Sequence, residues 1–438
     1  MKIGFIALSG VRVVDPVLLA AGVNMPGFVE RSKVIASLPS LGLLTLAALT
    51  PVHHEIHYIE VPELTDELPG SFDVVALSSF TAMIEDAYIL ADRYRQAGTK
   101  VILGGLHVTL CPDEAERHAD AIVIGEAEPV WENLLADIEK GNLKRRYAST
   151  QPFDLAQAPL PRFDLLDIGR YNRLTVQTSR SCPWLCEFCA SSIVLQPVYR
   201  TKPVDKIMEE IDAIKSIWDK PFIEFADDNS FVKKKHSHAL MDALRGQNIR
   251  WFTETDISVA DDPALLKKMH DAGCAQILIG FEDPGTGTEG IELRSNWKAR
   301  QQHKYLESIK RIQDHGITVN GCFVLGLDTH HPDVFDRMLS FIEESELYEV
   351  QLTLMTPFPN TPMFRRLDEE GRLRDHDGYN WRKKTLFDIT FQPKNMTTDE
   401  LHDGFIALAE KVYSASATSH RRRNFMKHKI SSQKQLNS

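Results

Sequence analysis

Short apolar runs alternate with helical patterns over the first third of the chain. Five of these runs have the length of a strand, at 2–8, 54–60, 73–79, 100–104 and 120–124. Helical periodicity lies between or after them, at 40–50, 82–97 and 128–140, with a shorter candidate at 111–118. This alternation predicts a doubly wound α/β domain with a parallel sheet of about five strands over residues 1–145. Residues 9–38 show no clear period and form a long connection.

A second alternating series follows a proline-punctuated stretch. Residues 146–170 contain Pro152, Pro159 and Pro161 without a persistent period, which predicts a linker. Strand patterns then occur at 173–179, 221–226, 250–255, 275–280, 318–325 and 349–355, and helical patterns at 204–216, 234–246, 262–271, 300–315 and 332–346. Six strands with five helices between them predict a partial (β/α)6 barrel over 171–355, followed by a C-terminal extension over 356–438.

Composition limits the class of protein. The 438 residues are 43% hydrophobic, which is enough for two or three domains with cores of their own. The net charge of −11 disfavours nucleic acid or an anionic membrane as the main partner. The N-terminus has no signal-peptide pattern, and no apolar run approaches the roughly 18 residues of a membrane span. Three of the six cysteines fall within eight positions, which is typical of metal binding in a reduced, cytoplasmic protein.

The C-terminal end is basic, unlike the rest of the chain. From residue 421 onward it has no acidic residue, and its basic residues include Arg421, Arg422, Arg423, Lys427, Lys429 and Lys434. We interpret this run as a solvated, partly disordered end; the alternative is a tail that binds a partner.

The clustered cysteines follow the first predicted barrel strand directly. Cys182, Cys186 and Cys189 form a CxxxCxxC motif, and three thiolates on one short loop hold three irons of a [4Fe–4S] cluster. The fourth iron then has no protein ligand, and that vacancy would allow S-adenosylmethionine (SAM) to chelate it through its amino and carboxylate groups. An electron from the cluster could then cleave the sulfonium and leave a 5′-deoxyadenosyl radical.

Two other interpretations of the cysteines remain open. A structural zinc site needs a fourth ligand, and the nearest histidines, His236 and His238, fall on a predicted helix some way off. Cysteines that merely pack are the second alternative. The position of the motif at the carboxyl end of a barrel strand favours the cluster, because such barrels place their chemistry there.

With this motif the chain resembles the radical SAM superfamily, and the resemblance implies further SAM-binding residues. Phe188, before the third cysteine, matches the position that lies along the adenine. Family members end the second barrel strand with a Gly-Gly-Glu that receives the methionine amino group, but this chain has Ala226-Asp227-Asp228 there. The carboxylates that the resemblance assigns to SAM are Asp227, Asp228, Glu254, Asp256 and Glu282. Their alternative role is that of ordinary carboxylates at loop edges.

The first domain resembles the Rossmann-like cobalamin-binding domain of B12-binding radical SAM proteins. Polar and glycine-rich segments follow its third, fourth and fifth strands, where an open α/β sheet binds ligands. Glycines let the backbone approach a large flat ligand, and hydroxyls bond its nucleotide tail. The residues assigned to cobalamin in this way are Ser78, Ser79, Thr81, Gly104, Gly105, His107, Gly125, Glu126 and Glu128. The alternative is a domain of the same fold that packs against the barrel without cofactor.

The cobalt ligand departs from the common pattern. Many cobalamin domains supply a histidine from an Asp-x-His-x-x-Gly motif after the first strand, whereas this chain has Ser9-Gly10-Val11-Arg12. His107 follows the fourth strand, so we do not transfer the ligand role to it; a satisfied polar group is its expected state.

Other conspicuous residues receive plain interpretations. Cys274 and Cys322 flank or lie in barrel strands and are expected to pack as small hydrophobic groups. His53, His54 and His57 are expected at the surface, because no carboxylate or cysteine completes a metal site with them. The Pro357–Pro362 segment follows the last strand and is expected to form a rigid turn at the barrel mouth.

The leading hypothesis is a cobalamin-dependent radical SAM enzyme that methylates an unactivated carbon of a small molecule. Its cofactors are a [4Fe–4S] cluster, SAM and cobalamin, and its electron donor is a flavodoxin or ferredoxin. An alternative keeps the cofactors but ends in cyclisation or oxidative rearrangement. A third possibility, from another class, is an iron–sulfur binding or sensing protein without turnover.

Overall fold

The computed structural model describes residues 1–8, 13–20, 38–191, 198–285, 293, 295–374 and 380–436, with the backbone alone for residues 19 and 428–436. Most of the predicted connection over 9–38 therefore lies outside the described residues. Two parallel sheets, each of six strands, dominate the described part of the chain. The predicted α/β fold class, a doubly wound domain followed by a partial barrel, is confirmed.

The first sheet has the strand order β2-β1-β3-β4-β5-β6. Its strands are β1 (Lys2–Leu8), β2 (Glu55–Val61), β3 (Val74–Ser79), β4 (Lys100–Gly104), β5 (Ala121–Ile124) and β6 (Arg146–Ala148). The helices around it are α1 (Pro16–Ala20), α2 (Leu41–Leu49), α3 (Ile84–Gln96), α4 (Leu106–Leu110), α5 (Pro112–Ala115) and α6 (Trp131–Glu139). Strand β1 is a continuous apolar run because both of its faces are covered.

The second sheet has the order β7-β10-β11-β12-β13-β14 and forms an open barrel. Its strands are β7 (Leu174–Val176), β10 (Phe222–Phe225), β11 (Arg250–Thr255), β12 (Cys274–Glu282), β13 (Thr318–Leu325) and β14 (Glu349–Leu354), and a hairpin of β8 (Ser179–Arg180) and β9 (Arg200–Thr201) follows β7 in the chain. The intervening helices are α7 (Val204–Ile217), α8 (Lys234–Leu244), α9 (Pro263–Asp271), α10 (Trp297–Gln301), α11 (Tyr305–Asp314) and α12 (Val334–Glu344).

The C-terminal segment contacts both the first domain and the barrel. Its helices are α13 (Pro362–Glu369), α14 (Thr398–Tyr413) and α15 (Ala415–Leu436). Helix α14 begins at a capping box of Thr397 and Glu400 and packs on α12. No helix among the described residues is long and apolar enough to cross a membrane.

Trp381 joins the C-terminal segment to the first domain. Its buried indole donates from Nε1 to the Glu114 carboxylate at 3.0 Å, and its backbone N–H donates to Glu85 at 2.9 Å. The ring also lies edge-on to His107, with centroids 5.0 Å apart. Hydrogen bonds from His107 and Trp381 outweigh burial and hold the pKa of Glu114 below its usual value.

Three local expectations from the sequence need correction. Strand β6 occupies the start of the predicted linker and extends the first sheet by one strand. The basic end is helical, and its first half packs on the barrel: Arg421 is buried and donates to the Val412 carbonyl at 2.9 Å. The side chains of Lys429 and Lys434 lie outside the described residues. His54 is buried, not at the surface, and Glu139 at the end of α6 lies 3.0 Å from His53 and 3.6 Å from His54.

We expect Trp381→Phe to lower the stability of the protein by about 1.5–3 kcal/mol, because the ring packing survives while a hydrogen bond to a charged group is lost. Urea unfolding followed by circular dichroism measures the change. Glu114→Gln is the matched partner in a double-mutant cycle. Fully additive effects of the two substitutions would contradict the proposed bond.

Candidate functional site

The cysteine loop follows β8, the first strand of the short hairpin. Cys182, Cys186 and Cys189 are all free thiols, with Cys186 buried and the other two partly buried. Burial raises the pKa of Cys182 to about 11, and the nearby Cys189 adds to the rise. Three neighbouring thiols on one loop therefore fit a cluster that replaces their protons with iron.

The histidines that a zinc site would need are engaged elsewhere. His236 pairs with the Lys202 carbonyl at 2.7 Å, and His238 pairs with Asp262 at 3.0 Å. Both lie on α8. The arrangement therefore favours the cluster over a four-ligand zinc site.

Asp227 supports the start of the cysteine loop. Its fully buried carboxylate accepts hydrogen bonds from the Thr178 and Ser179 backbone N–H groups at 2.7 and 2.9 Å, from the Thr178 hydroxyl, and from the Ser230 hydroxyl at 2.9 Å. Four donors leave it no capacity for a methionine amino group. The sequence-based expectation that Asp227 receives SAM is thus unsupported by its surroundings.

Asp228 holds both ends of the same loop. It accepts from the Ser181 backbone N–H at 3.1 Å and from the Ser191 hydroxyl. Ser181 has a φ of 76°, a left-handed conformation that is unfavourable for a residue other than glycine. The hydrogen bond to Asp228 therefore helps to fix a strained turn directly before Cys182.

Asp256 connects the loop to the end of β11. Its Oδ2 accepts from Trp184 Nε1 at 3.0 Å and from Asn229 Nδ2 at 2.8 Å. Asn229 Nδ2 also lies 3.8 Å from Cys182 Sγ, a weak hydrogen bond to the first cysteine of the motif. Asp256 is thus a loop-supporting residue in this arrangement.

Two carboxylates face the barrel interior above these supports. Glu254 is exposed to solvent, but the protein packed around its carboxyl withholds part of the hydration that the charged form needs. This loss of hydration, followed by the negative charges of Glu224, Asp228 and Asp227, raises the pKa of Glu254 to about 8. Glu282 ends β12 at a bulge with a φ of 60° and forms a buried ion pair with Lys298. The charges on Glu282 and Cys186 hold the pKa of Lys298 well above its usual value in spite of its burial.

A cleft of about 200 Å³ opens at the carboxyl ends of β3, β4 and β5. Apolar groups such as Leu43, Ile102 and Trp131 line it together with Ser78, Gly104, Gly105, Gly125, Glu126, Glu128 and Arg180. Gly105 has a φ of 102°, and a Cβ there would come within 2.9 Å of Ser78 Oγ. Glycine is therefore needed at this point of the cleft wall, both for its backbone conformation and for the close contact with Ser78. A wall without a side chain there suits a cofactor that approaches the backbone closely.

Three residues assigned to cobalamin lie outside the lining of this cleft. The Ser79 hydroxyl donates to the Phe80 carbonyl at 3.0 Å. His107 is fully buried, with Nδ1 3.3 Å from the Thr81 hydroxyl and Nε2 3.4 Å from Glu114. Its surroundings are those of a satisfied polar group, because α4 turns its ring toward Trp381.

Arginines of the hairpin engage the two glutamates of the cleft. Arg180 donates to Glu126 at 2.5 Å and to Glu128 at 2.8 Å, and Arg200 donates to Glu126 at 2.9 Å. Hydrogen bonds from Arg200, the Phe153 N–H and Arg180 outweigh burial and hold the pKa of Glu126 below its usual value. Glu126 and Glu128 therefore shape the cleft wall through the arginines.

The segment after β14 touches the cysteine loop. Thr361 caps α13, the Met363 N–H donates to the Glu187 carbonyl at 3.1 Å, and Arg366 donates to the Glu187 carboxylate at 2.8 Å. Helix α13, which follows the predicted turn, thus supports the loop that carries the cysteines.

Sequence reasoning missed Asn229, Lys298 and Arg180. The sequence contains a partial signal for Asn229 and Arg180, since each lies within two positions of a residue that was assigned to the site. Lys298 gave no signal, because only the fold brings it to the cysteine loop.

Family models match three regions of the chain. The B12 binding domain matches residues 32–135, the Radical SAM superfamily residues 176–342, and a domain of unknown function residues 361–438. The chain belongs to the B12-binding radical SAM proteins. A radical SAM domain implies a [4Fe–4S] cluster and SAM, and a B12-binding domain implies cobalamin.

Individual relatives and structures resemble most of the chain. Bacteriochlorophyllide d C-12(1)-methyltransferase of Chlorobaculum tepidum is 27% identical over 391 residues, 87% of this chain and 84% of the relative. Hopanoid C-2 methylase of Rhodopseudomonas palustris is 26% identical, over 78% of this chain and 67% of the relative.

Among solved structures, the methyltransferase TsrM from Kitasatospora setae, with cobalamin and a [4Fe–4S] cluster bound, has a TM-score of 0.69 at 12% identity, over 95% of this chain and 89% of TsrM. The cobalamin-dependent radical enzyme OxsB has a TM-score of 0.67 at 16% identity, and the match covers 94% of this chain but 66% of OxsB. At these identities the likeness concerns the fold.

We expect Glu254→Gln to stabilise the protein relative to the parent as pH rises from about 4.5 to 8. A raised folded-state pKa means that the fold favours the neutral carboxyl, so the parent loses stability as this group ionises. The difference in thermal midpoint between variant and parent, measured from pH 5 to 9, tests this. Glu307→Gln on the surface is the control, and a Glu254 difference independent of pH would contradict the expectation.

Proposed function

We propose that the protein is a cobalamin-dependent radical SAM enzyme that methylates an unactivated carbon of a small organic molecule. The observation that carries the proposal is the adjacency of two sites: Arg180 lines the glycine-edged cleft and stands two residues before Cys182. The names of the relatives, which are C-methyltransferases of a bacteriochlorophyllide and a hopanoid, support the reaction class.

Cys182, Cys186 and Cys189 are the proposed ligands of the cluster. When the cofactors are bound, the cluster supplies an electron that cleaves SAM to a 5′-deoxyadenosyl radical, and cobalamin supplies the methyl group. The chain fixes the loop with Asp227, Asp228 and Asp256, and the stacked rings of Trp184 and Trp297, whose centroids lie 4.5 Å apart, pack the loop against α10.

The proposed SAM-binding residues are Phe188, Glu254 and Glu282. Glu254 faces the barrel interior, and its pKa near 8 lets it hold a proton toward a polar group of SAM at neutral pH. Glu282 is already paired with Lys298, so this ion pair offers one charge of each sign to the amino acid end of SAM. Asp228 and Asp256 act by supporting the loop.

The proposed cobalamin-binding residues are those that line the cleft: Ser78, Gly104, Gly105, Gly125, Glu126 and Glu128. His107 is left out as a cobalt ligand because the fold buries it against Thr81 and Glu114. We also retain residues 1–145, 171–355 and 356–438 as the proposed domains, with β6 at the first boundary. A cytoplasmic location and a flavodoxin or ferredoxin donor complete the proposal.

We expect Gly105→Trp to abolish corrinoid binding while the iron content stays unchanged, because the indole would fill the cleft beside Ser78. Gly98→Trp is the matched control: Gly98 also has a positive φ, but its Cβ position is open. Equilibrium dialysis with hydroxocobalamin measures binding. Equal corrinoid binding by the Gly105 variant and the parent would remove cobalamin from this cleft.

We expect methyl-labelled SAM to pass its label to product, with S-adenosylhomocysteine and 5′-deoxyadenosine formed in comparable amounts. One SAM is consumed as methyl donor and another as radical source, so the two co-products count both uses. The ultraviolet–visible spectrum of anaerobic protein, showing cluster and corrinoid, is the prior control. Unlabelled product with 5′-deoxyadenosine alone would move the assignment to cyclisation or rearrangement.

A further inference from the structure

We infer that the buried Lys298–Glu282 ion pair sets the reduction potential of the cluster, with Lys298 as the group that makes reduction easier. The inference rests on the proposed function, because it places the cluster on Cys182, Cys186 and Cys189. Lys298 is a positioning residue in this inference, because its charge acts on the cluster without a bond to iron.

The fold brings Lys298 to the cysteine loop through a ring contact. Trp297 opens α10 and stacks on Trp184, with an angle of 14° between the rings. Trp184 lies between the first two cysteines of the motif. Lys298 is the next residue of α10, and its ammonium lies close enough to interact electrostatically with Cys182 and Cys186.

The ion pair is seated in the barrel with little contact to solvent. The side chains of Lys298 and Glu282 are 14% and 7% exposed, and the ammonium donates to Glu282 Oε1. Gly280 makes room for them: a Cβ there would lie 2.7 Å from Glu282 Oε1 and 3.2 Å from Lys298 Nζ. Both charges are thereby held at one place beside the thiols.

The charges of Lys298 and Glu282 affect the free energy of reducing a cluster bound to the three cysteines. Reduction adds an electron to a site that already holds three thiolates, with Asp228 and Asp256 bound to the same loop. In surroundings of low dielectric constant a nearby cation lowers the cost of the added electron, and a nearby carboxylate raises it. Cluster potentials respond to local charge in this way. Lys298 and Glu282 should therefore act in opposite directions.

The test removes each charge separately. We expect Lys298→Met to lower the ratio of reduced to oxidised cluster about 10-fold at a fixed potential, equal to 59 mV for a one-electron couple, and Glu282→Gln to raise it. Potentiometric titration of the anaerobic full-length protein without SAM, read by electron paramagnetic resonance of the reduced cluster, measures this. Lys298→Arg should stay within about 3-fold of the parent.

A second lysine, which pairs with a different carboxylate, serves as the matched control. Lys304 pairs with Asp261 at 2.7 Å near the surface, so Lys304→Met removes the same charge and should leave the potential unchanged. If Lys298→Met loses iron, the Glu282→Gln and Lys298→Arg variants decide. Shifts of equal sign in Lys298→Met and Glu282→Gln, or no shift in whichever of these two variants holds its iron, would overturn the inference alone. A parent protein without iron would overturn the proposed function and this inference together.

Discussion

Two arginines of one short hairpin hold the carboxyl edges of the two sheets against each other. Arg180 and Arg200 are cross-strand partners, and together they engage Glu126 and Glu128 after β5. All four side chains are at most 15% exposed, so removing one partner leaves a buried charge, at a cost of roughly 3–5 kcal/mol. The wall of the cleft, the start of the cysteine loop and their mutual distance all follow from this network.

Much of the fold was predictable because its strands are apolar runs between helices. Strands β12 and β13 are long, covered by helices and plain in the sequence. The three residues of β6 were not, since Arg146 and Ala148 are exposed and only Tyr147 is buried. The basic end was misjudged because a charge run does not reveal that Arg421 finds a carbonyl and Phe425 a buried position on the barrel.

The sequence predicted where the candidate site lies better than it predicted the role of each residue in it. The motif placed the cysteines, but a carboxylate at a strand end faces either a ligand or its own loop, and the sequence is the same in both cases. Asp227 faces its own loop, because donors from Thr178, Ser179 and Ser230 converge on its carboxylate. Lys298 and Arg180 were unpredictable as partners, because each meets its carboxylate through tertiary packing rather than through spacing along the chain.

The aspartates beneath the cysteine loop bear on how the protein matures. Asp227 and Asp228 fix the backbone of Thr178, Ser179 and Ser181 with contacts made by protein atoms alone. The backbone of the segment leading into the first cysteine therefore loses much of its conformational entropy when the polypeptide folds, and not when iron is taken up. The segment that leads into the cysteine loop is thus already ordered when the polypeptide has folded. Cluster assembly can therefore act on a folded protein.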